Sequence, residues 1–326
     1  MKRSWAAKVL KAGTIVVLLA AGCSSGGNGK SSGTTRAKSP TTAKTSAPHT
    51  SRRIVVVVEE NHSFSQIIGS AELPRVNQMA KDGVLLGQYY AITHPSLPNY
   101  IAMVSGDTHG VTSDCGKCNV DADNLGSQLQ KAHIPWKVYA QGLPRPCADE
   151  PQAGAYAKKH VPFLYFNSLR ADAAACANVV PFTQFAADAR AGRLPAFVFI
   201  VPDLSHDMHG AGEGGNDVTL KRSADAFAGQ VHDDLASSPA WREDTRLVVT
   251  WDEGGGGGGG DTGCCGGRAT GGHVPTIVVG PQVKPGQDAT PYDHYSLLRS
   301  IETVYGLAPL AQAGDPTSKD IPAIVR

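Results

Sequence analysis

Three apolar runs of this chain each end in side chains able to hold a cation. IVVVV (54–58) runs into Glu59-Glu60-Asn61-His62, and RLVVTW (246–251) runs into Asp252-Glu253. AFVFIV (196–201) runs into Pro202-Asp203-Leu204-Ser205-His206-Asp207-Met208-His209. Like charges gathered in one place repel, and burying them unpaired is costly; a bound cation relieves both. A single cluster of this kind is an ordinary polar loop, whereas three at one edge point to metal. A further candidate is Ser96 in ITHPSLPNYIAMVSG (92–106), held between Pro95 and Pro98 at the mouth of an apolar segment. A lone serine there is normally an N-cap. At a helix N-terminus it also meets free backbone N–H groups and the positive end of the dipole, which suit an alkoxide or a phosphate oxygen. The two prolines restrict the backbone on either side.

These side chains need elements to place them. Strands are expected at 54–58, 136–140, 196–201, 246–251 and 274–279. Helices are expected at 73–82 (stopped by Gly83), from a cap at Asp123, at 223–235 with Phe227, Val231 and Leu235 on one face, and at 295–305 (closed by Gly306). IVVVV has no polar face, as in a parallel sheet covered on both sides. The alternation predicts an α/β fold, a mostly parallel central sheet with helices on both faces, and no linker interrupts 53–326. In such sheets ligands bind beyond the carboxyl ends of the strands, which is where all three clusters fall.

The net charge of +1 conceals an uneven distribution. Eight lysines and arginines and no acid lie in the first 51 residues, leaving −7 for 52–326. An acidic body excludes nucleic acid as the main partner and suits a protein that collects cations. Residues 1–22 carry a basic start and an apolar run too short to span a bilayer, as in an export signal. Leu19-Ala20-Ala21-Gly22-Cys23 resembles the bacterial lipobox, which implies lipid on Cys23 and an anchor on the outer face of the membrane. Residues 23–51, rich in Ser, Thr, Gly, Lys and Pro without an aromatic residue, read as a flexible tether. Residues 52–326 form the expected single domain.

Six further cysteines in an oxidising compartment imply three disulfides, with zinc binding by the Cys-x-x-Cys and Cys-Cys pairs as the alternative. Cys147 with Cys176 is the first pair expected, and Cys115 and Cys118 would then join Cys264 and Cys265. The seven glycines Gly254–Gly260 fit either a flap beside Asp252-Glu253 or a tolerated insertion. Lys158-Lys159-His160 reads as a solvated basic patch, with attraction of an anionic head group as the functional alternative. Tyr156, Phe163, Tyr165 and Phe166 nearby read as core.

Six segments, in order, carry a family resemblance: VVVVEENHSF, THPSLPNYIAMVSGD, FIVPDLSHDMHG, LVVTWDEG, VPTIVVGP and YDHYSLLRSIE. They resemble bacterial phosphoesterases of the acid phosphatase and phospholipase C type, within the alkaline phosphatase superfamily. The chain looks most like short secreted acid phosphatases, some of which act on phosphatidylinositol 3-phosphate. The resemblance implies an alkaline phosphatase-like α/β/α sandwich and makes Ser96 the nucleophile. It makes Glu60, Asn61, Asp207, His209, Asp252, Glu253 and His294 the metal ligands. Asp203 stands where the family commonly has Asn, and His206 is an extra histidine. Which of Asp203, His206, Asp207 and His209 touch metal is therefore left open. His294 is either a ligand or a cap for the helix beginning near Tyr295. Asn99 is positioned to donate to the phosphoryl group.

The expected chemistry is hydrolysis of a phosphomonoester through a phosphoserine, with one or two divalent or transition metal ions. The substrate would be a small phosphate ester or a phospholipid head group. A phospholipase C-type phosphodiesterase and a non-catalytic anion-binding lipoprotein are the competing readings.

Overall fold

Ile54 to Val58 lie at the centre of the molecule because nothing in them tolerates water, and each is at most 1% exposed. The computed structural model of the protein describes residues 51–210, 217–255 and 263–326. The expected signal segment, Cys23 and nearly all of the tether lie outside these residues, as do Gly256–Gly260 of the glycine run. The described residues belong to one compact unit spanning 45–326.

The main strands in chain order are β1 (Arg53–Glu59), β2 (Val84–Leu86), β3 (Trp136–Ala140), β4 (Val179–Pro181), β5 (Phe197–Val201), β6 (Thr245–Trp251), β7 (Thr276–Val279) and β8 (Gly286–Asp288). They form one sheet in the order β8-β2-β7-β6-β1-β5-β3-β4. Strand β1 pairs in parallel with β5 (Val57 opposite Ile200) and with β6 (Glu59 opposite Trp251). Strand β7 is antiparallel to both of its neighbours, so the sheet is mostly parallel, as expected. Thr250 and Thr276 face each other across that reversed pair, with their hydroxyls 2.7 Å apart.

The helices that matter here are α1 (Pro74–Asp82), α2 (Ser96–Ser105), α3 (Leu125–Lys131), α4 (Asp217–Ala236) and α5 (His294–Tyr305). Helix α1 packs on α4 and on β7, while α2 packs on α5, giving the layers of an α/β sandwich. Helix α3 is capped by Asn124 rather than Asp123: its side chain accepts from Ser127 N. Helix α5 is capped by Asp293 in a capping box and ends at Gly306 in the left-handed region. Helix α2 ends at Gly106 (φ +77°), where a Cβ would lie 2.3 Å from Leu310 O, so only glycine fits. Tyr156, Phe163, Tyr165 and Phe166 are core, as expected.

The disulfides correct one expectation. Cys147 is joined to Cys176, but Cys115 is joined to Cys118 and Cys264 to Cys265. Each of the latter pairs closes within its own turn, so no bond crosses between the two segments. With their sulfurs so bonded, neither pair offers thiolates to zinc, even though Cys264, Cys265 and Asp293 lie close together.

Glu302 on α5 is fully buried, with one oxygen accepting from Leu310 N at 2.9 Å and the other without a partner. Burial raises its pKa to about 8 from an ordinary 4.5. The folded chain then keeps a proton that the unfolded chain releases near 4.5. Stability from this group is complete below about pH 4.5 and is lost as pH rises towards 8. Glu302→Gln should flatten that decline and raise the urea midpoint at pH 8 relative to pH 5. Parallel pH profiles for the two proteins would refute the assignment.

Candidate active site

The site is built where the carboxyl ends of β1, β5 and β6 meet the start of α2. Backbone bonds continue the sheet past the last strand residues: Glu60 N donates to Asp207 O (2.8 Å), and Asp252 N donates to Glu59 O (2.9 Å). Asn61 N donates to Asp252 Oδ1 at 3.0 Å. Asn61 adopts a left-handed φ of +53°, which asparagine tolerates better than most residues. The three clusters that the sequence separates are thereby fixed against one another.

Ser96 is the first residue of α2 and is 2% exposed. Its Oγ donates to Glu60 Oε2 at 2.8 Å, and Asn61 Nδ2 donates to the same oxygen at 2.6 Å. Around them, Glu60, Asp207 and Asp252 are completely buried. His160 Nε2 lies 3.1 Å from Glu60 Oε1, yet neither atom has an aligned hydrogen bond, and Asp207 Oδ2 and Asp252 Oδ2 are also without partners. His160 Nδ1 is 3.4 Å from Asp207 Oδ2. Burial is the main cause that pushes Asp207 and Asp252 well above the usual carboxylate range, and repulsion from Glu60 comes next. The same causes raise Glu253 to about 8. Burial lowers His160 to about 4, leaving its imidazole neutral above that pH, the form that ligates metals.

Buried carboxylate oxygens without partners, two of them within 3.4 Å of the neutral His160 ring, are donors of the kind that suit a divalent or transition metal ion, although the donor atoms of Glu60, Asp207, Asp252 and His160 do not all lie within 4.8 Å of one another in this structure. Glu60, Asp207, Asp252 and His160 have open ligand atoms, with Asn61 and Glu253 beside them.

The other expected site residues have different surroundings. Asn99 Oδ1 accepts from Ile92 N (2.9 Å) and Thr93 N (3.0 Å), and its Nδ2 donates to Thr93 O (2.8 Å) and Pro95 O (3.1 Å). Its amide is thus committed to the loop carrying Ser96, with a longer reach to Glu253 Oε2 (3.4 Å), rather than offered to a phosphoryl group. His294, expected as a ligand or a cap, is not the cap, since Asp293 holds that position. Its Nε2 lies 2.7 Å from Asp252 O and its Nδ1 lies 3.1 Å from Tyr89 OH, so both ring nitrogens are engaged in a fully buried setting. It supports the backbone beneath Asp252. His209 is exposed at the rim, with Nδ1 3.1 Å from Gly210 O, while its backbone N–H donates to Asp207 Oδ1. Asp203 and His206 pair with each other at 2.8 Å.

Sequence reasoning missed two histidines. His160 was absorbed into a basic patch, but it stacks on Tyr100 with ring centroids 5.3 Å apart and sits between Glu60 and Asp207. The apolar VPF that follows it was the available hint, because a solvated patch has no reason to run into core. His94, immediately before Pro95, lies 3.0 Å from Glu253 Oε2 through Nδ1.

A serine at a helix N-terminus beside buried carboxylates, at the carboxyl ends of parallel strands, is a setting in which an α/β fold can carry out hydrolysis. Residues 70–308 match the model of the Phosphoesterase family, and the chain belongs to that family. It is a hydrolase of phosphoric esters. Over 77% of its length it is 34% identical to a phosphatidylinositol-3-phosphatase of Mycobacterium tuberculosis, covering 76% of that protein. It is 30% identical over 78% of its length to an acid phosphatase of Aspergillus niger, of which it spans 58%. Among solved structures, an alkaline phosphatase superfamily protein from Vibrio parahaemolyticus matches 86% of the chain and 75% of its own, with a TM-score of 0.55 at 16% identity. That likeness concerns the fold.

Asn99→Ala would leave the N–H groups of Ile92 and Thr93 and the carbonyls of Thr93 and Pro95 without this partner. The expected loss is about 1–3 kcal/mol of stability, measured by urea unfolding. Esterase activity of the still-folded protein should fall roughly 10–100-fold as the Ser96 loop slackens. Full activity at full stability would show that the loop does not depend on this amide.

Proposed function

We propose that the chain is a metal-dependent phosphomonoesterase that acts through a phosphoserine on Ser96. The observation that carries this reading is the 2.8 Å bond from Ser96 Oγ to Glu60, at the strand ends where Glu60, Asp207 and Asp252 are buried with an unpartnered oxygen each. The names of its relatives support a phosphomonoester substrate, with a phosphoinositide among the candidates. The sequence of the first 23 residues supports export and a lipid anchor. Among the described residues no helix is long and apolar enough to cross a membrane.

Ser96 Oγ, oriented by Glu60 Oε2, attacks phosphorus in line as the bond from phosphorus to the ester oxygen breaks, and the proton lost from Oγ ends on that oxygen, so that the alcohol departs neutral. Water then attacks the phosphoserine, the bond from phosphorus to Oγ breaks, and Ser96 regains its proton. Asn99 and the start of α2 hold Oγ in place through both displacements, and His294 fixes the backbone that presents Asp252. A metal ion held by Glu60, Asp207, Asp252 and His160, with Asn61 and Glu253, would supply positive charge against the serine alkoxide and the phosphate.

The test is hydrolysis of a chromogenic monoester and the matching diester from acid to alkaline pH, before and after chelation. Monoester cleavage should dominate, fall on chelation, return with added metal and drop by roughly 10³-fold or more in Ser96→Ala. Preference for the diester would favour the phospholipase C-type reading. Undiminished activity in Ser96→Ala would remove the serine from the mechanism.

A further inference from the structure

Lys158 and Lys159 are adjacent but differently placed. Lys158 is 2% exposed, with Nζ 2.5 Å from Asp149 Oδ1 and 4.6 Å from the centre of the Tyr165 ring, a structural setting. The Lys159 side chain is 20% exposed, and its Nζ lies 2.8 Å from Asp114 Oδ2. The other oxygen of Asp114 accepts from the backbone N–H of Leu97 at 3.0 Å, the residue directly after Ser96. One carboxylate therefore ties the Lys159 ammonium to the first turn of the nucleophile helix. Lys159, Asp114 and His209 also line a cavity of about 450 Å³ whose wall includes Gly116, Gln152 and Leu204. The next residue, His160, lies 3.1 Å from Glu60 Oε1, which places Lys159 beside the site.

A phosphomonoester brings up to two negative charges to a place lined by Glu60, Asp207, Asp252 and Glu253, and it must be drawn in against them. We propose that Lys159 contacts a non-bridging oxygen of the substrate phosphate at Ser96, with Asp114 as the residue that positions it. The ester's alcohol then lies in the adjoining cavity, whose volume admits a small leaving group. The inference rests on the phosphoesterase reading of the site and adds a recognition residue to it. Lysine suits the task as a point charge that meets phosphate without a fixed geometry.

The test is calorimetric titration of inorganic phosphate into the metal-loaded full chain, alongside monoester kinetics, for Lys159→Gln, Lys159→Arg, Asp114→Asn and Lys158→Gln. Lys159→Gln should weaken phosphate binding roughly 10-fold or more, as expected for loss of a charged hydrogen bond, and raise KM. Lys159→Arg should recover most of the affinity. Asp114→Asn, which keeps an acceptor for Leu97, should weaken binding in the same direction. Lys158→Gln should lower the melting temperature and leave phosphate affinity unchanged. Phosphate affinity within twofold of the parent in folded Lys159→Gln overturns the proposal, as does a parent chain that binds no phosphate. If Lys159→Gln fails to fold, unchanged affinity in Asp114→Asn overturns it instead. A parent that binds phosphate through Lys159 yet cleaves no ester would refute the proposed function and leave this contact standing.

Discussion

The constraint on which this structure turns is the gathering of Glu60, Asp207 and Asp252 in full burial, with Glu253 at 5% exposure beside them. A buried ionised carboxylate without a counter-charge is among the most unfavourable groups a protein can contain. Here burial and mutual repulsion act together, and the hydrogen bonds present satisfy only part of the demand. Asp207 Oδ1 accepts from the N–H groups of His209 and Gly210, and Asp252 Oδ1 accepts from Asn61, but the second oxygen of each has no donor. The scaffold holds them with paired strands whose apolar residues are buried on both faces. Such strands have little freedom to slip, since a one-residue shift would send Glu60 to the opposite face.

That same side-chain alternation separates Glu59 from Glu60. Glu60 faces Ser96, whereas Glu59 is buried with neither oxygen bonded, and its main perturbation after burial comes from Asp207. Asp225, another influence on Glu59, comes from α4 and caps α1 through the N–H groups of Arg75 and Val76. Adjacent identical residues thus serve different layers of the sandwich. Lys158, Lys159 and His160 repeat the lesson on a short helical turn. The first is locked to Asp149, the second reaches Asp114, and the third enters the carboxylate ring.

Legibility in the sequence followed the same physics. The strands IVVVV and RLVVTW and the polar residues after them could be read because burial on both faces leaves a continuous apolar run, and the end of such a run is where a parallel sheet binds ligands. The reversed direction of β7 could not be read, since VPTIVV has the same pattern in either orientation. The role of His160 was hidden for a related reason: its neighbours in the chain are lysines, while its neighbours in space come from β1 and the loop after β5. Asn99 and His294 were recognised as important, but their chemistry depends on which atoms lie within 3 Å, and spacing does not carry that information. The cysteines show the limit most plainly, for spacing allowed pairing within each turn as well as between turns, and the structure closes each turn on itself.

The buried carboxylates would also link the binding of a cation to pH. Protons and a metal ion compete for the same oxygens, so an environment that raises Asp207, Asp252 and Glu253 also makes a cation's hold weaken as pH falls. Positive charge placed among them would lower every one of these pKa values at once and would offset the repulsion from Glu60 that helps to raise each. Binding of a cation there would therefore be cooperative with deprotonation of the whole set rather than of one ligand. Lys159 contributes in the same sense from the edge, since its charge lowers both Asp207 and Glu253. A lysine at that position thus does two things that need not be traded against each other. In the proposed contact it draws an anionic ester towards Ser96, and it favours the ionised forms of Asp207 and Glu253.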